Sequence, residues 1–462
     1  MRPFSMRDKL GYTLGDLGCC CTEQFRAMYL SVFYTLILQV NPFHIGILML
    51  ITKIWDAVND PIIGAIVDSR KATKGGKFIP WIRAFSFPMA VLCILGFVNV
   101  SNLAYGLRLA YMFVTYVLYE ALYTCVNVPF GTLSSVMTDD VRHRTALSRY
   151  RSLGGTIFMT VIVMVGPLVL YVDNKPVAGR FLMLASVFAL IGLLCLQITC
   201  VWCKERVAVP ERPKGEKLNY LHVIREIAKN KALLGVMFFS LVGMIGASVV
   251  NGLNTYLFKD YFGNVKIMAV SGGLSVLYSL ITFAITQPLA DKLGKKEWCC
   301  WGAGFAAAVF ALLFFFPVHN PVLFIVINGV CYLGASGMQV LIWAMVNDSI
   351  DYHELQTGER NEGIVYSTYS FFRKLASAVS GSLSSFVLGF IGYNVAEGAV
   401  QTAEVSNAIW KSYTGIYVLG YGVAVAILFF VYPLTKAKTT EMLEQLKARR
   451  AEKASAVETD GE

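Results

Sequence analysis

The stretch Ile54-Trp55-Asp56-Ala57-Val58-Asn59-Asp60-Pro61 sets two carboxylates, an amide and a proline inside what otherwise reads as a membrane-spanning helix. Apolar runs flank it, from Ile45 to Ile51 and from Ile62 to Val67. A charge in such surroundings costs at least about 2.5–3.5 kcal/mol, so the acids must have a compensating partner. Asp56 and Asp60 are four apart and Asn59 is three from Asp56, a spacing that lays three oxygen-bearing side chains on one helical face. Such a face can hold a small hard cation such as Na+, or can share a proton between two acids that do not both ionise easily. A structural ion pair with Lys53, or with a basic residue of another helix, is the alternative. A second charge with the same problem is Lys374, set within Phe371-Phe372-Arg373-Lys374-Leu375 in another apolar segment. Its natural partner is a carboxylate, and it could compete with a bound cation or proton for the acids; snorkelling or a static salt bridge is the other reading.

The elements that must position these residues follow from composition. The chain has 462 residues, 56% of them hydrophobic and 15% charged, with a mean hydropathy of +0.57. That describes a polytopic, all-α membrane protein whose partner is the lipid bilayer. Apolar segments near residues 25–40, 43–67, 79–100, 104–130, 152–172, 181–203, 232–258, 266–290, 298–317, 321–346, 364–392 and 410–434 give twelve predicted spans. The basic start runs into Gly11-Tyr12-Thr13-Leu14-Gly15-Asp16, too polar for a cleavable signal peptide, so the first helix is expected to be retained. Basic residues cluster in alternate loops, which places both termini in the cytoplasm. This also accounts for the net charge of +10 without nucleic acid, since the charge is spread over short loops.

The longest hydrophilic interruption divides the chain into a six-helix bundle over 1–203, a cytoplasmic linker over 204–231, a second six-helix bundle over 232–434 and a cytoplasmic tail over 435–462. Part of the linker, Leu218 to Ile227, has amphipathic character. The tail, with Met442, Leu443 and Leu446 among charges, reads as a short surface helix ending in disorder. An internal echo supports the two halves: Gly64-Ala65-Ile66-Val67-Asp68-Ser69-Arg70 after the second span is answered by Pro288-Leu289-Ala290-Asp291-Lys292-Leu293-Gly294 after the eighth. Twelve spans in two repeats around a central linker is the major facilitator fold. The eleven cysteines fall almost wholly within spans and read as reduced packing residues, with no structural metal.

Several blocks together resemble the glycoside/pentoside/hexuronide:cation symporter family, typified by melibiose permease. They are Lys9-Leu10-Gly11-Tyr12, Phe33-Tyr34-Thr35, Ile54 to Gly64, Gly75-Gly76-Lys77-Phe78-Ile79-Pro80-Trp81, Tyr123-Thr124, Asn127-Val128-Pro129-Phe130, Arg144 to Arg151, Asp348 to Tyr352, Arg360-Asn361-Glu362-Gly363 and Tyr366-Ser367 up to Lys374. The resemblance implies that Asp56, Asn59, Asp60 and Thr124 form the site of a coupling cation, Na+ or H+, with Lys374 nearby. It implies uptake of a sugar-type small molecule by alternating access, in a monomer, across the cell (inner) membrane, with no further cofactor.

Substrate recognition departs from the typical member. Two aspartates that would take hydrogen bonds from sugar hydroxyls are matched by Cys20 and Asn127, and expected aromatic positions by Gly131 and Gln339. Arg151 matches a family arginine that contacts hydroxyls. The first helix adds Glu23, Gln24 and Arg26, where Glu23 and Arg26 either pair with one another or face substrate. On the second reading, Gln24, Asn127 and Gln339 serve hydroxyls, while Arg26 or Arg151 grips an anionic group, as a hexuronide would require. Arg142, Arg144 and Lys77 against Asp348, Asp351, Glu354 and Glu362, with Arg360, read as a cytoplasmic gate; caps and loop-solvating charges are the other reading. The five histidines (His44, His143, His222, His319, His353) show no metal or catalytic spacing, so an enzyme is not expected. A facilitator-fold exporter and a lysolipid-type carrier are the alternative functions.

Overall fold

A computed structural model describes residues 3–69, 76–138, 140–207, 230–357, 369, 372–373, 376, 380, 382–396 and 398–459. It is nearly all helical. The first half holds α1 (Met6–Leu36), α2 (Pro42–Ser69), α3 (Ile79–Leu95), α4 (Tyr105–Met137), α5 (Val141–Leu170) and α6 (Ala178–Trp202), with a small antiparallel hairpin, Tyr171–Val172 against Lys175–Pro176, between the last two. The second holds α7 (Lys231–Tyr256), continued by a π-helical turn at Leu257–Tyr261, then α8 (Ile267–Leu293), α9 (Lys295–Phe315), α10 (Pro321–Ala335) and α11 (Gly337–Thr357). A helical segment over 382–390, α12 (Ala403–Phe430) and α13 (Lys436–Thr459) complete it.

Among the described residues, eight stretches are long and apolar enough to cross a membrane. α1 and α2 are not among them although they have 31 and 28 residues, because their charged and polar side chains dilute the apolar run. Those same side chains make up most of the candidate site. Hydropathy predicts that the first span begins near residue 25, yet α1 starts at Met6. Its polar, glycine-rich beginning is helical because Gly11, Gly15 and Gly18 let α6 approach closely. Gly18 and Gly192 face each other so tightly that a Cβ built on either would lie 2.8 Å from the other's carbonyl oxygen. The predicted span over 321–346 lies within one such stretch, Pro321–Gln356, with a break at Ser336 between α10 and α11.

The chain forms two compact units. One comprises residues 1–213, 251–273 and 381–407; the other comprises 214–250, 274–380 and 408–462. The division therefore does not follow the linker alone: the end of α7, the π-turn, the start of α8 and the 382–390 segment pack with the first six helices. The core of the first unit centres on Tyr12, Phe78, Ile82, Met89, Phe130 and Leu133. At the end where the chain starts, Asp8 is fully buried and receives two bonds from Arg206 Nη2, at 2.9 and 3.0 Å. Beside it, the Glu205 carboxylate accepts from the backbone N–H groups of Lys77, Phe78 and Ile79 at 2.7–2.8 Å, capping the start of α3. Gly76, at φ +105°, lies so close to that carboxylate that a Cβ would collide with it.

In the second unit, Val236, Phe239, Met345, Tyr369 and Leu428 form the core. α13 belongs to it: Met442 and Leu446 are buried, and Arg449 Nη1 donates to the Leu355 carbonyl at 3.2 Å. The tail thus forms a 24-residue helix docked on α11 by its apolar side chains. All eleven cysteines are free and all but Cys20 and Cys300 are buried. The linker's Leu218 to Ile227 lies outside the described residues.

Candidate functional site

α2 and α4 pack side by side and bring the residues singled out by spacing on α2 against Thr124, to which the resemblance points. The Thr124 hydroxyl of α4 lies 3.0 Å from Asp60 Oδ1 and 3.4 Å from Asp56 Oδ1, so one hydroxyl bridges both carboxylates of α2. Asn59, between them in sequence, is 5% exposed, and its Nδ2 has no hydrogen-bond partner among the described residues. Pro61 and Pro129 stand beside this region on the two helices. Two carboxylates, a hydroxyl and an amide oxygen suit a hard cation, which replaces its hydration shell with oxygens. Asp56 and Asp60 would supply the charge, and Thr124 and Asn59 neutral oxygens.

The site extends one turn further along both helices. Lys53 Nζ lies 3.9 Å from Asp56 Oδ2 and 3.7 Å from Glu120 Oε2, with Glu120 one turn from Thr124 on α4. Sequence reasoning overlooks Glu120, which is 3% exposed. The signal that could have found it is its spacing: four before Thr124, it shares that residue's helical face.

On α1, Glu23 and Arg26 do not pair. Arg26 is 2% exposed, and among the described residues all three guanidinium nitrogens lack a hydrogen-bond partner, as does the buried Glu23 Oε2. The guanidinium lies instead 3.7 Å from the centre of the Tyr119 ring and 5.2 Å from that of Tyr116. This is a cation–π arrangement, in which the ring face supplies negative potential.

A second polar row joins α1 to α5. Arg151 Nε donates to Asp16 Oδ1 at 3.0 Å, and Gly155 N donates to Asp16 Oδ2 at 2.9 Å. The Cys20 thiol lies 3.8 Å from Asp16 Oδ2, and Gln24 Nε2 lies 3.4 Å from Cys20 Sγ. Arg151 also sits over Phe130, 5.2 Å from its ring centre. Asp16, one turn before Cys20, therefore supplies a carboxylate beside the position where the resemblance leads one to expect it. Asn127 is half-buried on α4, and Gln339 is exposed in the first turn of α11 in the second unit. Gln24 Oε1 is buried without a partner among the described residues.

Two of the expected gate residues, Arg144 and Asp348, have side-chain partners within their own units. Arg144 Nε and Nη2 donate to the Thr138 and Ser135 carbonyls at 2.9 and 3.1 Å, closing the end of α4. Arg142 is exposed, with its backbone N–H bonded to Asp140 Oδ1 at 2.7 Å. In the second unit, Lys295 Nζ donates to both oxygens of Asp348 at 2.7 Å. Asp351 and Glu354 follow Asp348 on α11. Lys374, Arg360 and Glu362 lie outside the described residues.

Known proteins resemble this chain in sequence and in helix arrangement. Residues 11–436 match the MFS/sugar transport protein family. An uncharacterized symporter of Bacillus subtilis (strain 168), YjmB, is 31% identical over 96% of this chain and 95% of its own length. The isoprimeverose transporter of Lactiplantibacillus pentosus is 29% identical over 97% of this chain and 93% of its own. Among solved structures, the nucleoside transporter NupG superposes with a TM-score of 0.62 at 15% identity, covering 91% of this chain and 99% of that one, a likeness of fold. The fold is that of the major facilitators, and the chain belongs to the MFS/sugar transport protein family: it is a multi-pass membrane transporter, not an enzyme.

Proposed function

We propose that the protein is a secondary active symporter that couples downhill entry of Na+ or H+ to uptake of a glycoside, pentoside or hexuronide by alternating access. The observation that carries this reading is the Thr124 hydroxyl bridging Asp56 and Asp60 within a membrane bundle. A pair of acids held together by one hydroxyl is costly in that setting unless an ion or a proton joins them. Asn59 completes the donor set, and Lys374 is the coupling residue that competes for the acids. The relatives' names support a sugar substrate, isoprimeverose transport being said of one of them.

Cys20, Glu23, Gln24, Arg26, Asn127, Arg151 and Gln339 are the proposed substrate residues. Arg142, Arg144, Asp348, Asp351, Glu354 and Arg360 are the proposed cytoplasmic gate, with both termini in the cytoplasm and the monomer as the working unit. The test is uptake of labelled glycosides, isoprimeverose and a uronic acid analogue among them, into vesicles with sodium and pH gradients imposed separately. Concentrative uptake should follow one gradient and vanish in Asp60→Asn, while substrate exchange persists. Accumulation that survives collapse of both gradients overturns the reading.

A further inference from the structure

We infer that the groove between α9 and the end of α12 is a binding site for an anionic phospholipid, its phosphate held at Lys296 and one acyl chain laid over Gly304. The groove encloses about 680 Å³ and is lined by Trp301, Gly304, Phe305 and Ala308 of α9 and by Phe429 of α12, with Lys296 at one end. Both helices belong to the second compact unit, and the inference does not depend on which solute the protein carries.

The shape follows from the sequence of α9. Trp301, Gly304, Phe305 and Ala308 stand three, four and seven apart and therefore share one helical face, where two large rings alternate with two small residues. A Cβ built on Gly304 would meet only Val425 Cγ2, at 4.0 Å, so the floor of the groove is open at that point. The rings bound it: Trp301 is 73% exposed and Phe429 68%. Small residues beside exposed rings leave a slot that a flexible hydrocarbon chain fills.

Its length matches one leaflet. Lys296 and Ala308 are twelve residues apart, about 18 Å along the helix axis, against a half-thickness of roughly 15 Å for the bilayer core. Trp301, about 7.5 Å in from Lys296, is then placed where an indole sits at the level of the head groups.

The charged end is built, not incidental. Lys296 Nζ donates to the Tyr432 carbonyl at 2.6 Å and to the Phe429 carbonyl at 3.4 Å, so the end of α12 fixes the ammonium at the mouth of the groove. An ammonium has three donors, and the third is left for a phosphate oxygen. Lys438, exposed in the first turn of α13, is near enough for its charge to act on that of Lys296. Glu297 accepts from Lys436 N at 3.1 Å and lines, with Glu441 and Glu444, a neighbouring recess. Two lysines at head-group level favour a lipid of net negative charge, whereas a zwitterionic head brings its own cation.

Native mass spectrometry of the purified full-length protein tests this, with phosphatidylglycerol and phosphatidylcholine of identical acyl chains added in equal amounts. The wild type should retain phosphatidylglycerol in preference. Lys296→Gln and Lys438→Gln should each reduce that preference about fivefold, the effect of one lysine near an anionic surface. Gly304→Leu, which fills the floor and leaves both lysines in place, should lower retention of phosphatidylglycerol as well. Lys411→Gln, in the first turns of α12 at its other end, should leave the preference as in the wild type. Equal retention of the two lipids, a preference that survives both lysine variants, or a Gly304→Leu protein that binds as the wild type does overturns the inference. So does a dimer that Gly304→Leu dissociates, since a second copy would then occupy the groove.

Discussion

Asp56, Asn59 and Asp60 stand out in the sequence because two carboxylates four apart, with an amide on the same face, have few other uses in an apolar run. Their partner Thr124 does not stand out by spacing, since a threonine in a span is ordinary; only family resemblance points to it. The structure gives that hydroxyl a task, holding two carboxylate oxygens at 3.0 and 3.4 Å. Hydrogen bonds to charged groups contribute roughly 1.5–3 kcal/mol, so Thr124→Ala should weaken apparent cation affinity about tenfold or more. Cation dependence of uptake at fixed substrate measures it, and an unchanged half-saturating concentration would remove Thr124 from the site. Asp16 escapes a reading of the sequence because a lone acid carries no pattern until its neighbour on another helix is known, and Glu120 is marked only by its spacing from Thr124, which spacing alone does not single out. Asp16 fixes Arg151 through Nε and leaves the guanidinium's other nitrogens for hydroxyls. Asp16→Asn should therefore raise the KM for a neutral glycoside several-fold with little change in cation dependence, because Asp16 belongs to the α1–α5 row rather than the α2–α4 pair. A matching loss of cation dependence would instead join the two rows into one site.

At the scale of elements, hydropathy locates the apolar centres of most helices but not their ends. α1 extends well before its expected start because glycine contacts and buried ion pairs, not apolar composition, stabilise its beginning. Asp8 and Arg206 are the clearest case: they lie 198 residues apart, and nothing in either local sequence announces the other. Asp8 is fully buried, and removal of Arg206 takes two bonds from a guanidinium away from a carboxylate that Ser5 N and Oγ also reach, at 3.1 and 3.3 Å. Breaking such a pair costs about 3–5 kcal/mol, and Arg206→Ala should lower the thermal stability of the purified protein markedly. Lys204→Ala, two residues away, provides the control and should change little. A melting temperature for Arg206→Ala equal to that of the wild type would mean that Asp8 finds water or another donor. The helix over 436–459 is anticipated as a surface element, but its apolar residues dock it on α11, as expected where Met442 and Leu446 recur at helical spacing.

Across the whole molecule, the succession of apolar helices is legible in the sequence, whereas the way chain segments combine into compact units is not, because that depends on contacts between distant loops. At the end of the first unit remote from Asp8, Asn174 of the small hairpin donates through Nδ2 to the Lys259 carbonyl and accepts through Oδ1 from Val265 N, both at 2.9 Å. Tyr393 Oη donates to Asp260 Oδ2 at 2.7 Å, and burial, reinforced by that carboxylate, pushes the phenol well up so that it remains a donor. These contacts surround a recess of about 600 Å³ lined by Gln39, Asp173, Asn174, Lys259 and Tyr393. They tie residues of the first sequence half to the 251–273 and 382–407 segments of the second. In a transporter that works by alternating access, such ties must form and break in each cycle. Two hydrogen bonds at about 0.5–1.5 kcal/mol each are enough to shift a two-state equilibrium roughly 5- to 150-fold. Asn174→Ala should therefore favour the state in which this end is open. Ser385→Cys, at a position where Ser31 Oγ lies 3.1 Å from Ser385 Oγ, reports it, since the native cysteines are mostly buried. Its labelling by a membrane-impermeant thiol reagent should accelerate in the Asn174→Ala background. Equal labelling rates in the two backgrounds would mean that the hairpin contact forms alike in both states and does not bias the cycle.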